Sequence, residues 1–296
     1  MTTLLRHRTF GTLRLTAALA LALTTNGLCA GEFIETFDAP GVVPYSLSNS
    51  LGTAPAIVAG GPSGNFLRLV TTGVASDNAI SFDETPLTSG PAPKGKILSF
   101  DFRLMGGTMP VGEGMASGHF TTAAHGATGP RNPGFLDPVK DWEKASFAGS
   151  VNISFDVSPN ADKVNLNAFG TTIAEVDVSS MIDLNDGVFH HAILGVFPDP
   201  ADNTKALIDV DIIEDVYGAA TKHAVLVDFP AAINMNTLPG NRMMAGARTS
   251  ADAQMTVDLD NLHVSVVPEP GMAGIALIST LGLILSRRRA RQNLAD

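Results

Sequence analysis

Carboxylates spaced two residues apart are the clearest candidates for chemistry in this sequence. Asp258 and Asp260, with Asn261 beside them, lie in an extended segment near the end of the chain. Alternating residues of a strand share a face, and converging carboxylate and carbonyl oxygens are the ligands that Ca²⁺ prefers. We therefore predict calcium as a cofactor, and no other. The alternative is that these carboxylates are solvated strand faces that oppose aggregation.

A second acidic cluster has the same two interpretations. It consists of Asp209, Asp211, Glu214 and Asp215.

The single tryptophan is the candidate ligand-binding residue. Trp142 lies in a segment rich in Gly and Pro, from Thr108 to Phe147, which we predict to be mostly loop. An exposed Trp surrounded by polar groups is a typical platform for stacking a sugar ring, and long loops often carry recognition. The alternative is that Trp142 packs the loop onto the underlying sheet.

The histidines do not have the spacing of a metal site. His190 and His191 are adjacent, so on a strand they face opposite sides and cannot readily chelate one ion. His119 and His125 fall in the Gly-rich segment without the spacing of zinc ligands. We therefore expect the histidines not to form a zinc centre.

The body of the chain, 31–267, is predicted to be one antiparallel β-sandwich. Many segments alternate apolar and polar residues with a period of two, which predicts strands with one buried face. Turn-forming clusters of Gly, Pro, Asn and Ser separate them, and we expect only short helices. Two such sheets bury their apolar faces against each other. The clearest strand segments are 66–70, 97–104, 151–157 and 255–264.

One segment sharpens this fold prediction. Residues 185–194, which include Asp186, Gly187 and His190, are followed by a polar turn and by the strand-like segment 206–211. This arrangement resembles the Asp-Gly-x-Trp-His segment of laminin-G-like and concanavalin-like jelly rolls, with Phe189 in place of the Trp. The resemblance implies a concanavalin-like jelly roll.

Carbohydrate-binding sandwiches of this kind often use calcium to tie the first strand to the last. By that resemblance, Glu35 and Asp38 of the first strand would meet Asp258 or Asp260. Concanavalin-like hydrolases carry two acids on one strand in a Glu-x-x-x-Glu or Glu-x-Asp-x-x-Glu pattern, which is absent from the sequence. We therefore predict that the protein is not an enzyme, with a secreted glycan hydrolase of this class as the alternative.

The C-terminal residues combine three features in a fixed order: a Pro-Glu-Pro tripeptide, an apolar segment and an arginine cluster. The tripeptide is Pro268, Glu269 and Pro270, the apolar segment is 271–286, and the cluster is Arg287, Arg288, Arg289 and Arg291. Together, 268–291 resemble the PEP-CTERM sorting signal of bacterial exported proteins. That resemblance implies an exosortase as partner. The alternative is an ordinary C-terminal membrane anchor.

The physical character of this tail agrees with the resemblance. Residues 271–286 are uncharged and would span about 24 Å as a helix, somewhat less than the hydrocarbon core of a bilayer. The arginines are expected to remain in the cytoplasm, so the large domain would lie outside. We predict transient anchoring in the inner membrane, followed by release to the cell surface or extracellular matrix of a bacterium.

The N-terminal residues 1–30 are predicted to be a secretory signal peptide. Arg6, Arg8 and Arg14 form a basic region, 15–23 is apolar, and Ala30 precedes a plausible cleavage point. Signal peptidase and the Sec translocon are the implied partners. Cleavage there would remove Cys29, the only cysteine, and with it any disulfide or thiolate site. The alternative is a lipoprotein modified at Cys29.

The negative net charge of the protein limits the kinds of molecule that it can bind. The net charge is −10, and it becomes −16 for residues 31–270, where 12 basic residues face 28 acidic ones. Such a surface repels nucleic acid. We therefore predict an exported, non-enzymatic binding or structural module, with extracellular polysaccharide as the candidate ligand.

Overall fold

The computed structural model describes residues 31–39, 41, 43–71, 73–85, 94–106, 113–130, 142–158, 161–235, 242–249 and 255–268. The predicted signal peptide 1–30, the residues Glu269 and Pro270, the apolar segment 271–286 and the arginines after it lie outside the described residues. Within the described ranges, no helix is long and apolar enough to cross a membrane.

The described residues form an antiparallel sandwich of two sheets, which confirms the predicted fold class. The first sheet has the order β13-β12-β11-β6-β15-β4-β3, and β1 pairs with β15 beside β4. Its strands are β1 Gly31–Glu35, β3 Ala56–Val58, β4 Phe66–Val70, β6 Lys94–Met105, β11 His190–Asp199, β12 Asp202–Glu214, β13 Thr221–Ala231 and β15 Thr256–Pro268.

The second sheet has the order β10-β9-β8-β7-β14-β5-β2. Its strands are β2 Tyr45–Leu51, β5 Ser76–Phe82, β7 Glu113–Phe120, β8 Ser150–Ser158, β9 Ala161–Ala168, β10 Thr171–Asp177 and β14 Arg242–Thr249. The helices among the described residues are short, as predicted: α1 is Thr122–His125, and a single 3₁₀ turn is Trp142–Lys144.

The core lies between the two sheets and follows from the period-two pattern. Phe100 and Phe102 of β6 point inward, and the Phe102 ring stacks on Phe155 of β8 with centroids 4.3 Å apart. All three rings are fully buried. Burying one such side chain contributes about 1.5–3 kcal/mol, so the alternation of these strands is what holds the sheets together.

The four clearest strand segments of the sequence are confirmed in β4, β6, β8 and β15. The first strand pairs with the last, because Gly31 lies opposite Val266 and Glu35 opposite Leu262. This pairing places the start of the described chain beside its end.

The Gly-rich segment, predicted to be mostly loop, contains a strand that the prediction missed. Glu113–Phe120 is β7, which lies between β8 and β14 in the middle of the second sheet. Gly114 and Gly118 are required there because a Cβ at either position would overlap the backbone of β8. Glycines that indicated a loop thus allow the close approach of two neighbouring strands.

Candidate functional site on the outer face of the first sheet

Two central strands place four charged side chains on the outer face of the first sheet. Since Phe100 and Phe102 point inward, Asp101 and Arg103 of β6 point outward. Asp258 and Asp260 of β15 point outward beside them, because Arg103 lies opposite Asp258 and Asp101 lies opposite Asp260 in the ladder. Side chains in such directly opposed pairs are close neighbours.

The next strand adds a histidine. His191 of β11 lies opposite Asp101, and its Nδ1 is 2.6 Å from Asp101 Oδ1. His190 faces the core instead and packs against Phe102, and burial lowers the pKa of His190. The prediction that the two histidines face opposite sides is confirmed.

Asp101 is the centre of a hydrogen-bond network. Its Oδ2 accepts hydrogen bonds from the Tyr217 hydroxyl at 2.6 Å and from Asn261 Nδ2 at 2.7 Å. Because the carboxylate only accepts, His191 donates through Nδ1, which leaves Nε2 as an acceptor in the neutral ring. Burial and the hydrogen bond to Asp101 raise the pKa of Tyr217 to about 12, so its hydroxyl stays protonated and donates.

Asn261 reaches this network because β15 bulges. The register shifts between Asp260 and His263, and Asn261 has a positive φ of 45°. Asn tolerates this left-handed conformation better than most residues. Its backbone N–H donates to Asp260 Oδ1 at 2.8 Å, so the turn is closed locally while the side-chain amide projects toward Tyr217.

Asp101 and Asp260 form a pair of adjacent carboxylates that the sequence pattern did not reveal. Burial is the main cause that raises the pKa of Asp260 to about 6, with further contributions from the charges of Asp101 and Asp38. Both side chains are buried, however, and every carboxylate oxygen accepts a hydrogen bond; the second oxygen of Asp260 accepts from Ser63. The pair therefore supports the surface groups above it and does not itself face solvent.

The Tyr217 ring is the exposed aromatic surface of the site. Tyr217 lies in the turn between β12 and β13 and is 43 % exposed. Phe189 contacts it edge-on with centroids 6.1 Å apart, and Phe66 contacts Phe189 at 6.0 Å. Phe189 is the residue that replaces Trp in the jelly-roll resemblance, and here it fixes the orientation of Tyr217.

An arginine pair borders the aromatic rings. Asp258 accepts hydrogen bonds from Arg68 Nε at 2.8 Å and from Arg103 Nη2 at 2.5 Å. The Arg103 guanidinium also lies 4.6 Å from the centroid of Phe189 and 5.3 Å from that of Phe66. Such cation–π contacts and the shared carboxylate hold both guanidinium groups in place.

A groove adjoins the site on the side of β4. Its volume is about 570 Å³, and Phe37, Tyr45 and Ile57 form its apolar wall. Asp38 and Asn65 supply polar groups, and the Asn65 backbone N–H donates to Asp38 Oδ1 at 2.7 Å. The turn that carries Asn65 also carries Ser63, whose hydroxyl donates to Asp260.

The predicted calcium site is not formed by its four carboxylates. Although β1 pairs with β15, the Glu35 side chain lies on the inner side of the sheet near Tyr45, and burial raises its pKa. Its Oε1 accepts a hydrogen bond from Phe37 N at 2.7 Å. Glu35 therefore points away from the outward-facing Asp258 and Asp260.

The other proposed calcium ligands already have partners. Asp258 is ion-paired with both arginines, Asp260 accepts from Ser63 and Asn261, and Asp38 accepts from Asn65. Within the described ranges, no three His, Cys, Asp or Glu side chains are grouped so as to hold a metal ion. In the second acidic cluster, Asp211 pairs with Lys222 at 2.8 Å and Glu214 with His223 at 3.0 Å.

Trp142 is not a stacking platform. It is 3 % exposed, its ring contacts Phe147 with centroids 5.0 Å apart, and its Nε1–H donates to Asp77 Oδ1 at 3.0 Å. The ring lies against Gly246 of β14 so closely that a Cβ there would overlap it. The alternative interpretation, in which Trp142 packs its segment onto the sheet, is the one that agrees with the structure.

His119 is also a core residue. It lies in β7 and is buried, and burial lowers its pKa to about 3 with a smaller contribution from the charge of Lys96. It therefore stays neutral at physiological pH. His125 is buried in α1, where its Nε2 is 2.8 Å from Ala148 O.

Sequence reasoning missed Asp101, Tyr217 and the arginine pair as members of one site. Asp101 and Arg103 were visible only as polar positions of a strand, and Tyr217 is one of two tyrosines in a chain poor in aromatic side chains. Asp258, Asp260 and Asn261 were noted as one acidic cluster, and this cluster is the signal that pointed to the region.

Comparison with known proteins supports the fold. The sequence matches no protein-family model and no curated protein sequence. Lectin II from Ulex europaeus is similar in structure with a TM-score of 0.50 and 12 % identity over 81 % of this chain and 99 % of that one.

Two further structures are similar. The metal-free form of lectin I-B4 from Griffonia simplicifolia has a TM-score of 0.50 and 12 % identity over 80 % of this chain and 99 % of that one. The Emp47p carbohydrate recognition domain has a TM-score of 0.49 and 10 % identity over 80 % and 95 % of the two chains. At these identities the similarity concerns the fold, which is an antiparallel two-sheet sandwich similar to that of lectins.

Proposed function

We propose that this protein is a non-enzymatic glycan-binding module whose binding surface is the outer face of the first sheet. The observation that carries the proposal is the exposed Tyr217 ring, fixed by Phe189 and by the hydrogen bond from its hydroxyl to Asp101. An aromatic ring beside fixed polar groups suits a sugar, which has an apolar face and a rim of hydroxyl groups. The two proteins of TM-score 0.50 are lectins by name, and that agrees with the proposal.

The polar groups around Tyr217 match the hydroxyls of a sugar. His191 can accept a hydrogen bond through Nε2, and Asn261 and Ser63 present amide and hydroxyl groups at the same edge. All three are held by the buried carboxylates of Asp101 and Asp260. Because these groups are fixed before binding, little side-chain entropy is lost when a ligand binds.

The alternative function is glycan hydrolysis, and the observation that favours it is the Asp101–Asp260 pair. Two carboxyl groups at one site are the usual arrangement for cleaving a glycosidic bond. The hydrogen bonds that occupy all four oxygens argue against it, since neither carboxyl group is placed to protonate a leaving group or to activate water. Sustained release of reducing ends that is lost in Asp260→Asn would establish hydrolysis instead.

The test of binding is titration of the purified protein with glycans selected from an array of bacterial polysaccharide fragments. We expect Tyr217→Ala to weaken binding about tenfold, because an aromatic contact contributes about 0.5–1.5 kcal/mol in addition to the apolar area that it buries. Phe169→Ala is the matched control, since Phe169 is equally exposed at 43 % but lies in a turn of the second sheet.

Two results would contradict the proposal. One is that Phe169→Ala and Tyr217→Ala weaken binding equally, which would place the ligand elsewhere. The other is that no glycan of the array binds the wild-type protein, although circular dichroism confirms that the protein is folded.

The proposal places this module outside the cell. Its support is the sequence of 1–30, which resembles a signal peptide, and the Pro-Glu-Pro, apolar and arginine segments of 268–291. Export would proceed through the Sec translocon and signal peptidase. An exosortase would then process the C-terminal segment. The exported module would bind extracellular polysaccharide.

Intact-mass measurement on the protein recovered from a bacterial host with an exosortase tests this export pathway. We expect a mature chain that begins near Gly31 and lacks the arginines from Arg287 to Arg291. Recovery of the chain with that arginine cluster still attached would refute exosortase processing and leave the glycan-binding proposal untouched.

A further inference from the structure

The arginine pair has more hydrogen-bond donors than its shared carboxylate can accept. Arg68 donates to Asp258 through Nε and Nη2, at 2.8 and 3.1 Å, and Arg103 donates through the same two nitrogens, at 3.0 and 2.5 Å. Each guanidinium has five N–H groups. Two positive charges thus share one negative charge, and the Nη1 groups of both arginines point away from Asp258.

These donors are reachable from solvent. The side chains of Arg68 and Arg103 are 28 % and 21 % exposed, whereas Asp258 is fully buried beneath them. The exposed face of the pair therefore presents guanidinium groups and no carboxylate.

Two cations on one carboxylate differ from the lysine ion pairs of the described residues. The chain has a net charge of −10, and four lysines outside the site are each ion-paired with one carboxylate. Their partners are, in chain order, Asp156 for Lys144, Glu175 for Lys163, Asp202 for Lys205 and Asp211 for Lys222. None of these four lysine pairs has a second cation on its carboxylate, as Asp258 has.

The pair is part of the surface already described. Arg103 lies two residues from Asp101 on the same face of β6, a distance of about 7 Å along a strand. Its guanidinium contacts Phe189, which contacts the exposed Tyr217 ring. A pyranose ring on Tyr217 would place a substituent within reach of the arginines.

We propose that this site recognises acidic glycans, with the carboxylate of a uronic acid bound by Arg68 and Arg103. The inference rests on the proposed function and specifies its ligand class. A planar carboxylate matches the fork of a guanidinium, and such charge-assisted hydrogen bonds are about twice as strong as neutral ones. Asp101 and Asp260, whose oxygens are all occupied, serve the hydroxyl-binding end of the site.

The test compares a panel of polyuronate fragments in their native form and in their carboxyl-reduced, neutral form. Reduction changes each carboxylate to a hydroxymethyl group and keeps the sugar stereochemistry. We expect the wild-type protein to bind the native form of at least one member about tenfold more tightly than its reduced form. Rising salt concentration should weaken only the native form.

Arg68→Gln is the diagnostic variant, because Arg103 remains to neutralise Asp258 and the fold is kept. We expect it to bring the ratio of native to reduced affinity close to one. Lys222→Gln, which removes an ion-paired charge farther out on the same sheet, is the matched control and should keep the wild-type ratio.

The outcomes separate the two proposals. Equal affinity of wild type for both forms, lost in Tyr217→Ala, would overturn the acidic-glycan inference and retain glycan binding. A preference for the native form that persists in Arg68→Gln would also overturn the inference. Absence of binding to any glycan, acidic or neutral, would overturn both.

Discussion

At the scale of single residues, Glu143 is a side chain whose ionisation opposes the fold. It is buried beside β7 and β8, and its Oε2 accepts no hydrogen bond. Burial, with smaller contributions from the charges of Asp156 and Glu113, raises the pKa of Glu143 to about 8. The folded protein therefore holds a proton on Glu143 at neutral pH, whereas the unfolded chain releases it near pH 4.5.

This difference predicts how stability depends on pH. Because the folded state binds the proton more tightly, the contribution of Glu143 is fully present below about pH 4.5. It is lost as the pH rises through about 8. Glu143→Gln should therefore raise the melting temperature at pH 9 and leave it nearly unchanged at pH 4.5. The corresponding gain in the free energy of unfolding at pH 9 is on the order of a few kcal/mol.

Thermal unfolding followed by circular dichroism at both pH values measures this effect. Glu32→Gln, at an exposed carboxyl group, is the control and should not change the melting temperature selectively at pH 9. A Glu143→Gln variant that is no more stable than wild type at pH 9 would show that Glu143 ionises freely in the folded state.

The candidate site shows what a sequence cannot reveal about single residues. Asn261 stood out through the neighbouring Asp260, but Tyr217 had no local signal. In the described sheet β11 lies between β6 and β12, and Tyr217, in the turn after β12, reaches across it to Asp101 of β6. That strand order is a property of the whole sheet, and alternation within one strand does not encode it.

At the scale of elements, the segment around the 3₁₀ turn Trp142–Lys144 covers the outer face of the second sheet. Trp142 and Phe147 form a small apolar cluster there with Phe120 of β7 and Met244 of β14. The outer faces of the two sheets therefore differ. One is covered by a packed chain segment, and the other presents the polar and aromatic groups of the candidate site.

This arrangement predicts a large loss of stability for Trp142→Ala. Removing a buried Trp that also donates a hydrogen bond to Asp77 should lower the free energy of unfolding by about 3–5 kcal/mol. Chemical denaturation measures the change. Val227→Ala, at a side chain that is 67 % exposed, is the control and should change it by less than about 0.5 kcal/mol.

A Trp142→Ala protein with wild-type stability and no glycan binding would contradict this account. It would restore Trp142 as the binding residue, in spite of its burial.

Strands were predictable from the sequence to the extent that their apolar and polar residues alternate. The residues of β4, β6, β8 and β15 do so clearly, and the apolar face that each strand carries is what the two-sheet fold requires. β7 was missed because its glycines, needed for the approach of β8, are the same residues that mark loops. The predicted set of calcium ligands was wrong for a related reason: the sequence pattern placed the first strand near the last, but it did not show on which sides of the sheet Glu35 and Asp258 project.

At the scale of the whole molecule, the distribution of charge links fold and function. An acidic chain with a net charge of −10 would repel an acidic polysaccharide over most of its surface. The arginine pair beside Tyr217 offers a local exception. Binding of an acidic glycan would thus be confined to one orientation on one face of the sandwich.

The central claim is that the ligand lies on the outer face of the first sheet, around Tyr217. Its most direct measurement is mapping of amide chemical shifts in the isotope-labelled protein while a glycan that binds is added. The account predicts that the largest changes occur at Tyr217, Asn261 and His191, with Arg68 and Arg103 included for a polyuronate. Largest changes around Trp142 and Phe147 on the second sheet, with the residues around Tyr217 unaffected, would contradict it.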